Sequence, residues 1–308
     1  MEPIEPPVTA RLSLLPSVRG TYRCDAPLSK TNWFQVGGQA EILFRPADTD
    51  DLAYFLRHRP SDIPLTILGV GSNLLVRDGG LDGVVIKLGR GFTDIRHQGT
   101  QIAAGAGALC YNVAIYAAEH GIGGLEFLSG IPGTIGGALA MNAGAYGADI
   151  ASILKHATLL DEGGNLHTLQ PKDIGYIYRG NTLPEGIIFT HGIFHGAPSS
   201  PTDIFARIDT ISTERQKTQP IRSRTSGSTF KNPEGHKAWK LIDEAGCRGL
   251  TIGDAQVSEK HCNFFINLGA ATAHDIEALG HEVQRRVKEK TGIELEWEVK
   301  IIGKPPTN

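Results

Sequence analysis

The sequence lacks the usual means of stapling a fold. Its four cysteines, at 24, 110, 247 and 262, are far apart and show no Cys-x-x-Cys spacing. That excludes a disulfide framework or a zinc site of the common kind and fits a reducing cytosol. Neither sign of charge is in excess: 30 Lys and Arg against 33 Asp and Glu give a net charge of −3. No nucleic acid or polyanionic surface is therefore expected as a partner. The short basic runs "RSR" (222–224) and "QRRVKEK" (284–290) read as solvated faces. The opening "MEPIEPPVTARLSLL" has two early glutamates and no long apolar core, so it does not have the pattern of a signal peptide.

Charge is missing altogether from Phe127 to Ala148, 22 residues, the length of a membrane-spanning helix. Yet residues 121–147 hold nine glycines and Pro132, and each glycine costs a helix about 1 kcal/mol. No membrane span is expected. The stretch reads instead as backbone meant to approach something closely.

Glycine is what the sequence has in surplus, 38 of 308 residues, about 12% against a usual ~7%. Between the clusters "QVGGQA", "GVGSN", "RDGGLDG" and "GAGA" lie short apolar runs, "EILFRP", "PLTILG", "GVVIKL" and "QIAAGAG". These predict strands closed by glycine turns. "SILKHATLLD", "NLHTLQ" and "EGIIFTHGIFHG" predict further strands, as do "HCNFFIN" and "ELEWEVKII". Helices are predicted where caps meet a 3.6-residue period. "DTDDLAYFLRH" has Asp48 or Thr49 as cap, with Leu52, Phe55 and Leu56 on one face. "ALCYNVAIYAAEHG" ends at Gly121. "SPTDIFARIDTISTERQK" carries Ile204, Ile208 and Ile211 and must stop before Pro220. "GHKAWKLIDEAG" and "TAHDIEALGHEVQRRVKEKTG" each end at glycine. The fold class is α+β, with a glycine-turn-rich part to residue 199, in two subdomains at about 20–90 and 91–199, and a smaller domain over 200–308.

Two glycine segments bear on chemistry. In "LGVGSNLLV" (68–76) a Gly-x-Gly turn leads to Ser72 and Asn73, the makings of an anion-binding nest. It is neither a Walker loop nor a dinucleotide fingerprint, since no Gly-Lys-Ser follows and Leu74 stands where a third glycine would be. A second segment, "SGIPGTIGGALAMNAGAYG" (129–147), lies about sixty residues on. Together the pair could embrace an extended diphosphate, and a dinucleotide-type cofactor explains the glycines better than loop structure alone.

"GVGSNLLVRDGGLDGVVIKL", "GIPGTIGGALAMNAGAYG", "YRGN", "GSTFKNPEGHKAWKLIDEAG" and "LEWEVKIIG" stand in the order and spacing of the UDP-N-acetylenolpyruvoylglucosamine reductases. The chain resembles that family from "TNWFQVGGQAEI" (31–42) to Gly303. The resemblance implies noncovalent FAD in a vanillyl-alcohol-oxidase-type (PCMH) domain of two subdomains, followed by a C-terminal α+β substrate domain. It implies NADPH as co-substrate, UDP-N-acetylglucosamine enolpyruvate as substrate, a cytoplasmic location and a monomer. Cofactor contacts map onto Gly69, Gly71, Ser72 and Asn73, and onto Gly130, Ile131, Pro132, Gly133, Thr134, Gly136, Gly137, Asn142, Gly144 and Ala145. Catalytic roles map onto Arg179, Ser228 and Glu298, and substrate contacts onto Tyr178, Lys217, Asn232 and His261, with Asn263 beside the last.

The chain departs from the family in three places. Arg179 is followed by Gly180-Asn181, where members often carry a serine two positions on. Lys300 replaces an arginine, a point donor for a bidentate one. "YRGNTLPEGIIFT" runs straight into a strand with no insertion carrying a tyrosine, so this is the short form. Its diphosphate clamp must come from elsewhere, with Lys217, Arg222 and Arg224 as candidates.

The implied chemistry suits these residue types. Reducing an enolpyruvyl ether leaves carbanion character beside a carboxylate, and Arg179, always charged and planar, can bind that carboxylate bidentately. Glu298 would help only if protonated, or by orienting another donor. Ser228 can deliver the proton, since a carbanion is basic enough to take it from an alcohol. Gly227 would permit close backbone approach, Lys231 would supply positive potential, and Pro233 would hold Asn232 extended. His191 and His195 read as strand histidines without a third ligand, so no metal is expected, and Trp239 is expected in the core. Two other readings compete: a flavin oxidase of the same fold acting on an alcohol, and a flavin- or nucleotide-sugar-binding regulator without activity.

Overall fold

The computed structural model describes residues 8–306, with side chains from residue 11 onward. It divides into two compact units. The first comprises residues up to 24, 41–69 and 83–213; the second comprises 25–40, 70–82 and the chain from 214 onward. The cut expected at 199/200 runs along the chain, whereas the compact units are interleaved. Packing explains this: Ile204 and Ile208 bury against the first unit's core, and Phe34, Val36 and Leu75 against the second's.

The first unit contains a five-stranded antiparallel sheet. Its order is Leu166–Leu169, Leu154–Leu160, Ile188–His195, Gln101–Gly105, Ile95–Gln98. Helix Cys110–Glu119 buries Val113, Ala114, Ala117 and Ala118 in the same core as strand residues Ile102, Ala157 and Phe194. A second core of this unit gathers Ile42, Phe44, Val84 and Ile86 with Leu52, Phe55 and Leu56 of helix Thr49–His58. That helix starts where the sequence places its cap, the Asp48 carboxylate accepting from Asp51 N. Strand Leu65–Leu68 runs parallel to Leu81–Lys87 and ends at the first glycine turn.

Within the stretch 121–147, Ile135–Met141 forms a short helix despite Gly136 and Gly137. A Cβ on Gly136 would lie 3.0 Å from the Ala106 Cβ. Glycine therefore gives up helix propensity there so that the helix can sit on the Gln101–Gly105 strand's continuation.

The second unit is built around helix Ala273–Thr291. Thr272 and Asp275 form a capping box, and the Asp78 carboxylate accepts from Ala273 N and His274 N at 3.0 Å each. The first-turn donors that a helix leaves orphaned are thus satisfied. Ile276, Leu279, Gly280, Val283 and Val287 form its buried stripe, packing with Ala238, Leu241 and Ile242 of helix Ala238–Glu244. Gly280 faces the Trp297 indole so closely that a Cβ there would lie 2.0 Å from the ring.

Ordinarily Gly→Ala inside a helix stabilises by about 1 kcal/mol. At Gly280 the sign should reverse: Gly280→Ala is expected to destabilise by about 1–3 kcal/mol through overpacking, measured by urea unfolding. Trp297→Leu should relieve the clash, so that adding Gly280→Ala to it costs little.

Candidate functional site

Within the first unit the two glycine segments meet. Strand Leu65–Leu68 delivers Gly69, where a Cβ would lie 2.8 Å from Thr134 Oγ1. Only glycine leaves that gap. Thr134 is itself placed by main-chain bonds: Ile135 N donates to Ala108 O at 2.9 Å and Gly136 N to Ala106 O at 2.8 Å. Residues 130–133 and 136 are half-buried and Gly137 is exposed. A Cβ on Gly137 would meet only Thr134 Oγ1, at 3.9 Å.

The Arg179 turn stands on the same elements. Tyr176 pairs with Asn181 and Ile177 with Gly180 in a tight hairpin, and Arg179 is forced to φ +60°. Such a conformation in a large side chain is uncommon and costs of order 1–3 kcal/mol. Four hydrogen bonds hold it. Asn142, in the left-handed region at φ +41°, donates from Nδ2 to Ile177 O at 3.3 Å and accepts at Oδ1 from Ala151 N at 3.0 Å. Asn181 donates from Nδ2 to Ala140 O at 2.8 Å. The guanidinium donates from Nη2 to Gly144 O at 3.2 Å and lies 5.0 Å from the centre of the exposed Tyr178 ring. Asn181 therefore supplies a brace of its own. Arg179, Tyr178, Asn142 and Gly144 are brought together, with Ala145 pairing Ala148 in the next turn.

Within the second unit, Gly71 is glycine for a different reason from Gly69. It has φ +66°, and a Cβ would lie 2.6 Å from Asn32 Cα, while its carbonyl accepts from Trp33 N at 3.1 Å. The turn is packed against residues 31–33. After Ser72, Asn73 Nδ2 donates to Glu298 O at 3.0 Å and Asn73 O accepts from Lys300 N at 3.1 Å. Leu74–Val76 then pairs in parallel with Lys300–Ile302.

Ser228 lies in a segment trapped between two others. It bridges Phe264, and Phe230 bridges Trp297. Glu298 N donates to Thr229 O at 2.8 Å and Lys231 N to Glu296 O at 2.8 Å. Asn263, 3% exposed, clamps Phe230 from both ends: its Oδ1 accepts from Phe230 N at 3.0 Å and its Nδ2 donates to Phe230 O at 2.8 Å. The amide expected beside substrate is used on the backbone instead. Gly227 has φ +82° with nothing within 4 Å of a would-be Cβ, so it is the turn, not crowding, that requires glycine. Ser228 and Glu298 are half-buried on bonded neighbouring segments.

One expectation nearby needs correction. Trp239 is not core; it is 36% exposed, beneath the Lys240 ammonium at 5.6 Å, because Ala238, Leu241 and Ile242 form the buried face of its helix. Asn232 Oδ1 accepts from Ala238 N at 3.0 Å, so part of its amide caps that helix. Lys231 is paired with Glu296 at 3.2 Å, which offsets its charge. Lys217 is exposed in the last turn of helix Pro201–Thr218, while Arg224 donates to Gly269 O at 3.0 Å. His261 lies edge-on to Phe264 at 4.8 Å, with Nδ1 buried and unpartnered. Burial holds its imidazole below the ordinary histidine value. Among the described residues no cluster of three metal-ligating side chains occurs, and no helix is long and apolar enough to cross a membrane.

The residues fit a flavin dinucleotide. The 127–148 stretch presents no carboxylate to repel a pyrophosphate, and Gly69 against Thr134 leaves a cleft that any side chain would fill. Comparison with known proteins agrees. Residues 40–170 match the FAD binding domain family, so the fold is an α+β, FAD-binding one. Residues 219–302 match the family "UDP-N-acetylenolpyruvoylglucosamine reductase, C-terminal domain". UDP-N-acetylenolpyruvoylglucosamine reductase of Azorhizobium caulinodans is 55% identical over 298 residues, covering 97% of each chain. That of Paramagnetospirillum magneticum is 57% identical over 290 residues, covering 94% of each. The crystal structure of the Thermus caldophilus reductase (MurB) superposes with a TM-score of 0.80 at 35% identity, over 92% of this chain and 99% of that one. The chain belongs to the UDP-N-acetylenolpyruvoylglucosamine reductase family.

The strand that follows Asn73, Leu74–Val76, is anchored beyond its end by Arg77, which donates from Nε and Nη2 to Glu277 at 2.9 and 2.7 Å. Its hydrogen bonds hold the Glu277 carboxyl below the ordinary value of 4.5. A depressed carboxyl contributes stability above its unfolded pKa and loses it as pH falls through the folded one. Glu277→Gln should therefore destabilise by about 1 kcal/mol at pH 7. The difference between variant and parent should shrink as pH drops below 4.5, read as paired urea melts across pH.

Proposed function

We propose that this protein reduces UDP-N-acetylglucosamine enolpyruvate to UDP-N-acetylmuramate with NADPH, through noncovalently bound FAD, as a cytoplasmic monomer. The proposed division of labour gives residues 1–199 to the cofactor and 200–308 to the substrate. The observation that carries the reading is the direct bonding of the Ser228 segment to the Glu298 segment through Thr229 O, in a chain of this family.

When bound, FAD would take hydride from NADPH and supply it, from N5, to the terminal methylene carbon of the enolpyruvyl group. The cofactor would be held by Gly69, Gly71, Ser72 and the main chain of Asn73, and by Gly130, Ile131, Pro132, Gly133, Thr134, Gly136, Gly137, Asn142, Gly144 and Ala145.

The remaining steps belong to side chains of this protein. As hydride reaches the methylene carbon, the double-bond electron pair moves to the adjacent carbon and into its carboxylate. Arg179 binds that carboxylate with its guanidinium, a fixed positive charge needing no reorganisation. Ser228 donates its hydroxyl proton to the carbon, completing the lactyl ether, and is reprotonated from solvent. Glu298 acts as a neutral acid donor beside the carboxylate or orients such a donor. Tyr178, Lys217, Asn232 and His261 are the proposed substrate contacts. For His261, burial keeps the ring neutral near pH 7, so it would offer a dipole rather than a charge. NADPH and the enolpyruvyl substrate would use one site in turn.

The half-reactions separate these roles. Ser228→Ala should be reduced by NADPH at the parent rate, and its reoxidation by the enolpyruvyl substrate should slow by about 100-fold or more. Arg179→Ala should likewise lose about 100-fold in reoxidation. Anaerobic stopped-flow absorbance reads both. Reoxidation of Ser228→Ala as fast as the parent would remove the serine from the proton step.

A further inference from the structure

Asn73 sits in the proposed cofactor turn, yet its side-chain amide is spent elsewhere in the second unit. Nδ2 donates to the Glu298 carbonyl at 3.0 Å, while the Asn73 carbonyl accepts from Lys300 N at 3.1 Å. The Glu298 N–H donates to Thr229 O at 2.8 Å. Both main-chain polar groups of Glu298 are thereby committed, one to the Ser228 segment and one to Asn73. With the peptide planes on either side held, the direction in which the Glu298 side chain leaves the backbone is set as well.

The parallel pairing of Leu74–Val76 with Lys300–Ile302 begins one residue after Asn73. At Asn73 itself a side-chain amide serves the Glu298 carbonyl, ahead of the first paired residue. Serine is too short and aspartate has no donor. Replacing this donor removes a hydrogen bond from the Glu298 carbonyl, in a half-buried residue, and loosens the Glu298 peptide. The neighbouring contact reinforces the arrangement: Ser226 Oγ donates to Leu74 O at 3.3 Å, tying the start of the same strand to the residues before Ser228.

We infer that Asn73 is a positioning residue for Glu298, acting through its amide on the Glu298 carbonyl, rather than a side-chain contact to the cofactor. This rests on the proposed role of Glu298 in the reoxidation step. Misplacement of a reacting group by ~1 Å can cost about 100-fold in rate, so the effect falls on one half-reaction and not on cofactor retention.

The experiment uses full-length holoprotein carrying Asn73→Ala, which removes the donor without adding charge, with Asn73→Ser, too short to reach the Glu298 carbonyl, as the alternative should the alanine not fold. Four quantities are read: FAD affinity by fluorescence titration of apoprotein, flavin reduction by NADPH, flavin reoxidation by the enolpyruvyl substrate, and amide hydrogen exchange over residues 296–302. Expected are FAD affinity and NADPH reduction within about 3-fold of the parent, reoxidation slowed by about 10- to 100-fold, and faster exchange in 296–302. In a Glu298→Gln background the same substitution should add little to the reoxidation defect, because the two act as one unit. Parent-like reoxidation overturns the inference, and so does a loss of FAD affinity of about 10-fold or more, which would make Asn73 a cofactor contact. If the parent holoprotein is not reoxidised by the enolpyruvyl substrate at all, the proposed reaction fails. The clamp itself is then still decided by hydrogen exchange, where unchanged protection of 296–302 would refute it.

Discussion

The second unit depends on satisfying the main chain of one buried segment. Thr229 and Phe230 are fully buried, so their peptide groups must find partners within the protein. Thr229 N donates to Asn263 O at 2.7 Å, and Thr229 O accepts from Glu298 N. Phe230 is bonded at both its N–H and its carbonyl by one amide, that of Asn263. A buried donor or acceptor left unpaired costs about 1–3 kcal/mol, so sliding this segment by a residue would orphan several groups at once. Ser228 is placed because it is the residue before that locked pair, and Gly227 because the chain must turn at φ +82° to enter it.

The longer helices of this fold are legible in the sequence, and so are several strands, but the short helix Ile135–Met141 and the pairing of the strands are not. Asp48, Thr272 and Gly292 announce helix ends by local chemistry, and Ile204, Ile208 and Ile211 announce a buried face by their spacing. Leu74–Val76 and Lys300–Ile302 are three residues each, the latter inside the expected strand "ELEWEVKII". Their pairing spans more than two hundred residues, for which no local signal exists. The same limit explains the interleaved units: nothing in "TNWFQVGG" says that Phe34 will pack beside Phe230 and Phe265.

Asparagine is the residue type whose role the sequence hides most. Asn73, Asn142 and Asn263 look like turn formers or ligand contacts, since a short amide suits both. In the fold each one holds main-chain groups: Glu298 O for Asn73, Ile177 O and Ala151 N for Asn142, and Phe230 for Asn263. Asn267 does the same, donating to Phe34 O at 2.8 Å and accepting from Gly269 N and Ala271 N. An amide can donate and accept at once, which makes it the natural plug wherever a sheet is too short to bond its own edges. The glycine segments are legible as a pair, because glycine in such excess has few structural uses. The roles of Arg179, Ser228 and Glu298 are legible only through likeness to a family, since spacing carries no information about them.

Arg179, proposed to bind the substrate carboxylate, stands on a strained backbone at φ +60°. Its hairpin could turn with glycine or asparagine at the left-handed position at little cost. An arginine there is opposed by sterics, and the fold nevertheless holds it with two cross-strand pairs and the amides of Asn142 and Asn181. None of those bonds needs an arginine side chain; they fix the backbone whatever residue stands at the turn. What the arginine adds is a guanidinium whose origin and direction are settled before any ligand arrives, with one nitrogen resting on Gly144 O. A charge held in advance costs no ordering entropy when it meets a carboxylate. A strain of order 1–3 kcal/mol is small beside the transition-state stabilisation that one preorganised donor supplies, about 2.7–4 kcal/mol.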